Sequence, residues 1–277
     1  MQKSALFFRL TRAKSRSLSI ARVSDLLRKG LDRETIALDF VRINQEVWGN
    51  LTGPQFLWTR EKVHQHFLIC PEHIYCAFED GEMVATLTNI RTTEAEILRR
   101  KSWLEKTGDG FLTTHAPRGT VGFGVDLSVV RKASRGVADK MVLAAMLVSV
   151  LGENGEAVYL GARIPGYHRH RQLPVEEYVY GRTKRGKPRD PQLCFYLKHG
   201  FEIVEIIPDY MEDSQSLDYG VLIKWANPIY PLTRRAPLLA RLVKKLAEAL
   251  LVRMPAGVYG LPVAVAAAPP LGRPAPV

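Results

Sequence analysis

The chain has 277 residues, 46% of them hydrophobic and 24% charged, which allows one substantial core and excludes a low-complexity or fibrous protein. Cys70, Cys76 and Cys194 are scattered without paired spacing, so a disulfide scaffold and a zinc site are excluded and a reducing, cytoplasmic compartment is expected. The net charge of +11 creates a field that attracts polyanions, whether nucleic acid, anionic lipid or nucleotide phosphates, and does not choose among them.

In chain order, residues 1–16 read as a basic, flexible arm. They belong to a Ser-rich stretch, Met1–Arg22, without Asp or Glu, and an organellar address is the alternative. The alternation from Ser17 to Val23 predicts a first strand, and Ile36, Phe40, Ile43 and Val47 predict a helix. A second helix is expected over Lys62–Phe67, ended by Pro71. Ile74–Phe78 and Met83–Ile90 flank Asp80-Gly81, the signature of a tight β-hairpin. A polar helix is expected over Glu94–Lys106. Gly119–Val130 reads as a strand with Val121, Phe123, Val125, Leu127 and Val129 on one face.

A helix from Gly136 to Leu151 and a short strand over Ala157–Ala162 come next. Then follow a basic insertion, Arg163–Arg189, a capped helix at Asp190–His199, and strands at Phe201–Pro208 and Tyr219–Trp225. This order predicts an α+β domain over 17–228 with a largely antiparallel sheet. Residues 229–254 are expected to hold an amphipathic helix that self-packs or forms a homodimer, and 255–277 a disordered Pro/Ala-rich tail. No apolar run reaches the roughly 18–20 residues of a membrane span.

The chemistry concentrates where the strand ending at Val129 runs through Arg131, Lys132, Ala133, Ser134 and Arg135 into a helix at Gly136. Free N–H groups at a helix N-terminus, with small residues and added cations, make an anion cradle suited to pyrophosphate. The alternative is a plain strand–helix connection with solvated basic residues. A second segment, Phe195-Tyr196-Leu197-Lys198-His199-Gly200-Phe201, stops a helix with glycine and returns directly into a strand. Asp190 and Pro191 mark that helix's start.

These two segments together resemble the GNAT (GCN5-related N-acetyltransferase) superfamily. Val129, Gly136 and Ala138 match the family's cofactor loop, with Ala133 in place of Arg or Gln and Ser134 in place of the first glycine. Phe195, Tyr196, Gly200 and Phe201 match its late-helix signature, while Arg189 and Asp190 stand where an asparagine is usual. Gly161–Tyr167, Ile207–Tyr210 and Tyr219–Val221 are similar to the branch found alone or fused to carbon–nitrogen hydrolases.

The resemblance implies a mixed, mainly antiparallel twisted sheet with helices on both faces and a splayed central strand pair. It implies acetyl-CoA as donor, held by Leu127, Val129, Ala133, Ser134, Arg135, Gly136, Val137 and Ala138. The acceptor is an amine that attacks the thioester directly, and longer acyl groups are the variant. Tyr196 takes the general-acid position and Asp126 is the candidate base, with His115 and Glu82 as further candidates. No metal is implied; His168 and His170 lack acidic or Cys partners. A rival reading is a catalytically weak module whose basic surface, including the insertion's Tyr167, Tyr178 and Tyr180, binds nucleic acid or a protein.

Overall fold

The computed structural model describes residues 17–253, apart from the side chains at 148–149 and 248–253, so the expected basic arm and Pro/Ala-rich tail lie outside the described residues. Seven strands form one sheet in the order β1-β2-β3-β4-β5-β7-β6. They are β1 (Leu18–Arg22), β2 (Ile74–Glu79), β3 (Glu82–Thr92), β4 (Val121–Val129), β5 (Ala157–Arg163), β6 (Glu202–Ile207) and β7 (Gly220–Ala226). Among the described residues only β4 and β5 pair in parallel. The β2–β3 hairpin turns on Asp80 (φ 50°) and Gly81 (φ 87°), the conformations for which an Asp-Gly pair is suited.

The expected single-face alternation along β4 fails at Val125. Thr88 pairs with Asp126 but its neighbour Asn89 pairs with Gly124, so Val125 is an extra residue opposite β3. Such a bulge changes the phase of the strand. Phe123 therefore shares its face with Asp126 and Ser128, while Gly122 and Gly124 share theirs with Leu127 and Val129. Those last two are half-buried, whereas Val121, Phe123 and Val125 are buried.

Two helices cover β3 and β4 from opposite faces. Helix α2 (Arg33–Trp48), capped by Asp32 and preceded by α1 (Val23–Arg28), packs on the face of Asp126 and Ser128 and brings Trp48 to them. Helix α3 (Arg60–Ile69) packs on α2. The polar helix expected over Glu94–Lys106 is two short ones, α4 (Glu94–Arg99) and α5 (Trp103–Thr107), because Ser102 and Glu105 start a new capping box. Helix α6 (Val137–Ala145), the crossover between the parallel strands, continues as a π-helical segment over Met146–Gly152.

The basic insertion is ordered. It contains α7 (Val175–Tyr180) and a small hairpin bridged at Arg182 and Pro188. Tyr167 and Tyr178 are buried and pack against each other with tilted rings, so of its three tyrosines only Tyr180 is exposed. Helix α8 (Pro191–Leu197) starts on the buried Asp190, which accepts from the amides of Gln192 and Leu193. After a short α9 (Tyr230–Thr233), α10 (Pro237–Arg253) packs against the π-helical segment through Ala247, leaving Leu238, Leu242 and Leu246 exposed. Among the described residues no helix is long and apolar enough to cross a membrane.

Candidate active site

Strands β4 and β5 pair from Val121 with Ala157 as far as Gly124 with Leu160, and both then run on without pairing. Beyond that point β4 stays with β3, and β5 stays with β7. The sheet is parted at its centre. Val130 donates its N–H to the Val84 carbonyl across the β3–β4 ladder at 3.0 Å. Hydrogen-bonded pairs alternate along an antiparallel ladder, so Ser128 and Asp126 also face β3. The N–H and C=O groups of Leu127 and Val129 are thereby directed at the gap, where an extended ligand can pair with them.

A cleft of about 1210 Å³, counted to its open mouth, passes through this gap. On the α2 side it is lined by Trp48, Trp58, Asp126, Arg163 and Tyr210, and Tyr196 of α8 closes on it. Trp48 donates its indole N–H to Asp126 Oδ1 at 2.9 Å and to Ser128 Oγ at 2.7 Å, and the Ser128 hydroxyl donates to Asp126 Oδ2 at 2.9 Å. The Trp58 indole N–H lies near the same carboxylate yet makes no hydrogen bond among the described residues. Burial pushes the Asp126 carboxyl up to about 7, against the opposing effect of its hydrogen bonds from Ser128 and Trp48.

The Tyr196 phenol is pushed up to about 12, first by burial and then by the Asp126 charge, while Gln192 works the other way. Asp126 and Tyr196 are therefore electrostatic neighbours, as the sequence alone could not show. The Tyr210 phenol is raised too, by burial and by Tyr196. Its ring lies flat against the sheet because Gly161 and Gly220 carry no side chain there; a Cβ on Gly161 would come within 2.0 Å of the Tyr210 hydroxyl. The loop carrying Tyr210 is tied down by a buried pair, Arg163 to Asp213, at 2.6 and 2.7 Å. Arg163 also lies over the Trp48 ring at 5.1 Å. Sequence reasoning missed Trp48, Trp58, Tyr210 and Arg163, although glycines at 161 and 220 within apolar strands were a sign that something large sits on the sheet there.

At the top of β4 the loop reaches α6 as expected. Gly136 is the N-cap at φ 86°, has no side-chain cap, and an added Cβ would meet nothing within 4 Å. The Val137 amide donates to the Ser134 carbonyl at 3.4 Å, and the amides of Ala138 and Asp139, next in the first turn of α6, have no acceptor within the helix. Residues Arg131 and Arg135 are exposed beside it, and Ala133 is half-buried against the core. The residues present fit a diphosphate, with one amendment. The Ser134 amide is not free for it, since it donates to both oxygens of the buried Glu79 carboxylate at 3.1 and 3.2 Å.

The two further base candidates stand elsewhere. Glu82 is exposed at the hairpin turn in an ion pair with Lys132 and does not line the cleft. His115 accepts the Arg91 amide at Nδ1 and packs on His73. With Glu72 these two histidines bring their ligand atoms within 4.8 Å of one another. A neutral His115 whose Nδ1 lone pair holds an N–H keeps its proton on Nε2, so it offers a metal no lone pair in this arrangement.

The mixed, mainly antiparallel sheet parted between β4 and β5, with helices on both faces, has the fold of GNAT-superfamily proteins, to which the chain is similar. No family model matches the chain. It is 27% identical over 198 residues to the uncharacterized N-acetyltransferase YkwB of Bacillus subtilis, covering 71% of this chain and 87% of that one. It is 31% identical over 175 residues to the probable hydrolase YhcX of the same organism, over 62% of this chain; the chain spans about a third, 34%, of that relative's length. Among solved structures it is similar to the GphF GNAT-like decarboxylase in complex with isobutyryl-CoA, at 25% identity and a TM-score of 0.57, over 76% of this chain and 98% of that one.

Proposed function

We propose that the chain transfers an acyl group from an acyl-CoA to an amine. The observation that carries this reading is the parting of β4 and β5 after Gly124 and Leu160, with Asp126 and Tyr196 set in the opening. The pantetheine arm lies along Leu127 and Val129, and the diphosphate lies on the amides at the start of α6, with Arg131 and Arg135 beside it.

The amine nitrogen attacks the thioester carbonyl carbon, so the C–N bond forms as the C–S bond breaks. Asp126 accepts the amine proton, for which a carboxyl near 7 is matched to neutral pH. Tyr196, held protonated by its raised pKa, gives its proton to the departing thiolate. Proton return from Asp126 to Tyr196 restores both groups. Most of the acceleration comes from holding nucleophile and thioester in line. A carboxylate among tryptophans favours a cationic amine over an anionic acceptor.

The match to about a third of a probable hydrolase supports placing the chain in the hydrolase-associated branch. The three free thiols fit a cytoplasmic setting, and the exposed leucines of α10 fit a homodimer. The test is free-thiol release from acetyl-CoA against a panel of small amines, amino acids and peptide N-termini. Release that depends on one amine class supports the proposal, and none with any acceptor removes it.

One observation favours a second reading. Glu79 already holds the Ser134 amide, which weakens the cradle and suits a module with little turnover. The exposed cations of the 182–189 hairpin would then bind nucleic acid. Thermal shift with CoA and with a short single-stranded oligonucleotide separates the two.

A further inference from the structure

The cleft does not end where β4 and β5 part. On the α6 side it continues along the paired half of the two strands, over Gly122, Gly124 and Val158 and beneath Val142, Ala145 and Met146. Neither glycine has the positive φ that would demand one, so the backbone does not explain them. What they secure is space. A Cβ at Gly122 would come 3.4 Å from Val158 Cγ2, and one at Gly124 would come 3.2 Å from Leu160 Cβ. Any larger side chain here would project into the channel.

Protein interiors are close-packed, and an empty apolar space costs stability. The roof also departs from regular packing. Regular α-helix gives way at Met146 to a π-helical segment, a feature concentrated at functional sites, and α10 braces that segment from outside.

We propose that this channel houses the alkyl chain of the donor, so that the acyl group transferred is a medium-length unbranched chain and not acetyl. The inference rests on the acyl-CoA reading above. A thioester carbon placed between Asp126 and Tyr196 sends its substituent past Gly124 into the channel, where Val142, Ala145, Met146 and Val158 give it apolar contact and the polar side chains of Asn89 and Arg91 stand at the β3 edge of the floor. The bare glycines leave room for a chain, and the apolar roof gives each added methylene a surface to cover.

The test is calorimetric affinity of the full chain for CoA, acetyl-CoA, butyryl-CoA and hexanoyl-CoA. Burial of one methylene is worth about 0.8 kcal/mol, or about fourfold in affinity, so hexanoyl-CoA is expected to bind on the order of 100-fold tighter than acetyl-CoA. Gly122→Val fills the floor and is expected to bring that ratio below about 10-fold. Ala145→Leu does the same from the roof and serves if the strand variant does not fold. Equal affinity for all the thioesters overturns the channel and leaves the acyl-CoA reading standing. Failure of every CoA species to bind overturns that reading and the channel with it. A chain-length gain retained by both variants assigns the alkyl group to another surface and overturns the proposal.

Discussion

Trp48 and Asp126, 78 residues apart in the chain, are joined by an indole N–H···O bond of 2.9 Å at the opening of the parted sheet. The bond fixes the carboxylate's orientation and leaves its remaining lone pairs to Ser128 and to whatever enters the cleft. In the proposed reaction, a carboxyl that burial pushes up to about 7 and that stands at the opening makes Asp126 the residue that would take the amine proton.

Asp126→Asn keeps the shape and an acceptor for Trp48 but cannot take a proton. Turnover is expected to fall by 10²–10⁴, with CoA affinity within about threefold of wild type. In the wild type kcat/KM should rise with pH through about 7, as Asp126 ionises, and the variant should lose that limb. A pH–rate profile without the rise in the wild type would take Asp126 out of the base role.

The same shift has a consequence for stability. A carboxyl raised from 3.8 to about 7 stays protonated in the folded chain while the unfolded chain ionises. Its contribution is complete below pH 3.8 and is lost as pH climbs to about 7. Asp126→Asn removes this loss, so the variant should gain about 2 kcal/mol over wild type between pH 5 and pH 8, after allowance for the open side of the cleft. Parallel pH–stability curves for the two proteins would contradict the raised pKa.

Tyr196→Phe retains the ring, which packs edge-on to Phe195 and Phe201, and removes only the hydroxyl. We expect kcat to drop about 100-fold with CoA affinity nearly unchanged. The loss should be smaller with an activated thioester whose leaving group needs no proton. An equal loss for both donors would make Tyr196 a packing residue.

At the proposed phosphate cradle two substitutions should act in opposite directions. Gly136→Asp puts a side chain at φ 86° and a negative charge before the helix, and is expected to abolish CoA binding. Glu79→Gln removes the anion that already sits on the Ser134 amide, and is expected to tighten CoA binding about three- to tenfold, by lifting a like-charge repulsion. Isothermal titration reads both, and weaker binding in Glu79→Gln would show that the carboxylate supports the loop more than it competes.

Much of the scaffold was legible in the residues. The Asp80-Gly81 turn, the Asp190-Pro191 helix start and the glycine at position 200 are local signals whose physics acts over four or five residues. They placed the hairpin, α8 and the strand after it. The bulge at Val125 was not legible, because it shows only against the register of β3 across the sheet. The expected single face of Val121 through Val129 was wrong for that reason. It also hid the fact that Asp126 and Ser128 share a face with Phe123 and meet α2. The acidic partner of Ser134 came from a hairpin 55 residues earlier, a distance over which spacing carries no information. Trp48, Trp58 and Tyr210 converge from three separate segments, and only the fold brings them together.

Tyr210 offers the sharpest test of that convergence. Its ring lies where side chains at Gly161 and Gly220 would otherwise stand, with a Cβ on Gly161 reaching 2.0 Å from the hydroxyl and 2.1 Å from the ring carbon bearing it. The contact is with a fully buried ring held between two strands, so the side chain cannot swing clear into solvent. Gly161→Ala must push the ring out of the cleft wall or distort β5, and overpacking of this kind costs about 1–3 kcal/mol. We expect a melting temperature lowered by several degrees and turnover lowered about tenfold or more, since the displaced ring lies beside Tyr196. Tyr210→Phe keeps the ring and should leave stability within about 1 kcal/mol, so any loss of turnover there reports the hydroxyl alone. If Gly161→Ala is as stable and as active as wild type, the ring does not rest on Gly161 and the wall of the active site must be drawn elsewhere.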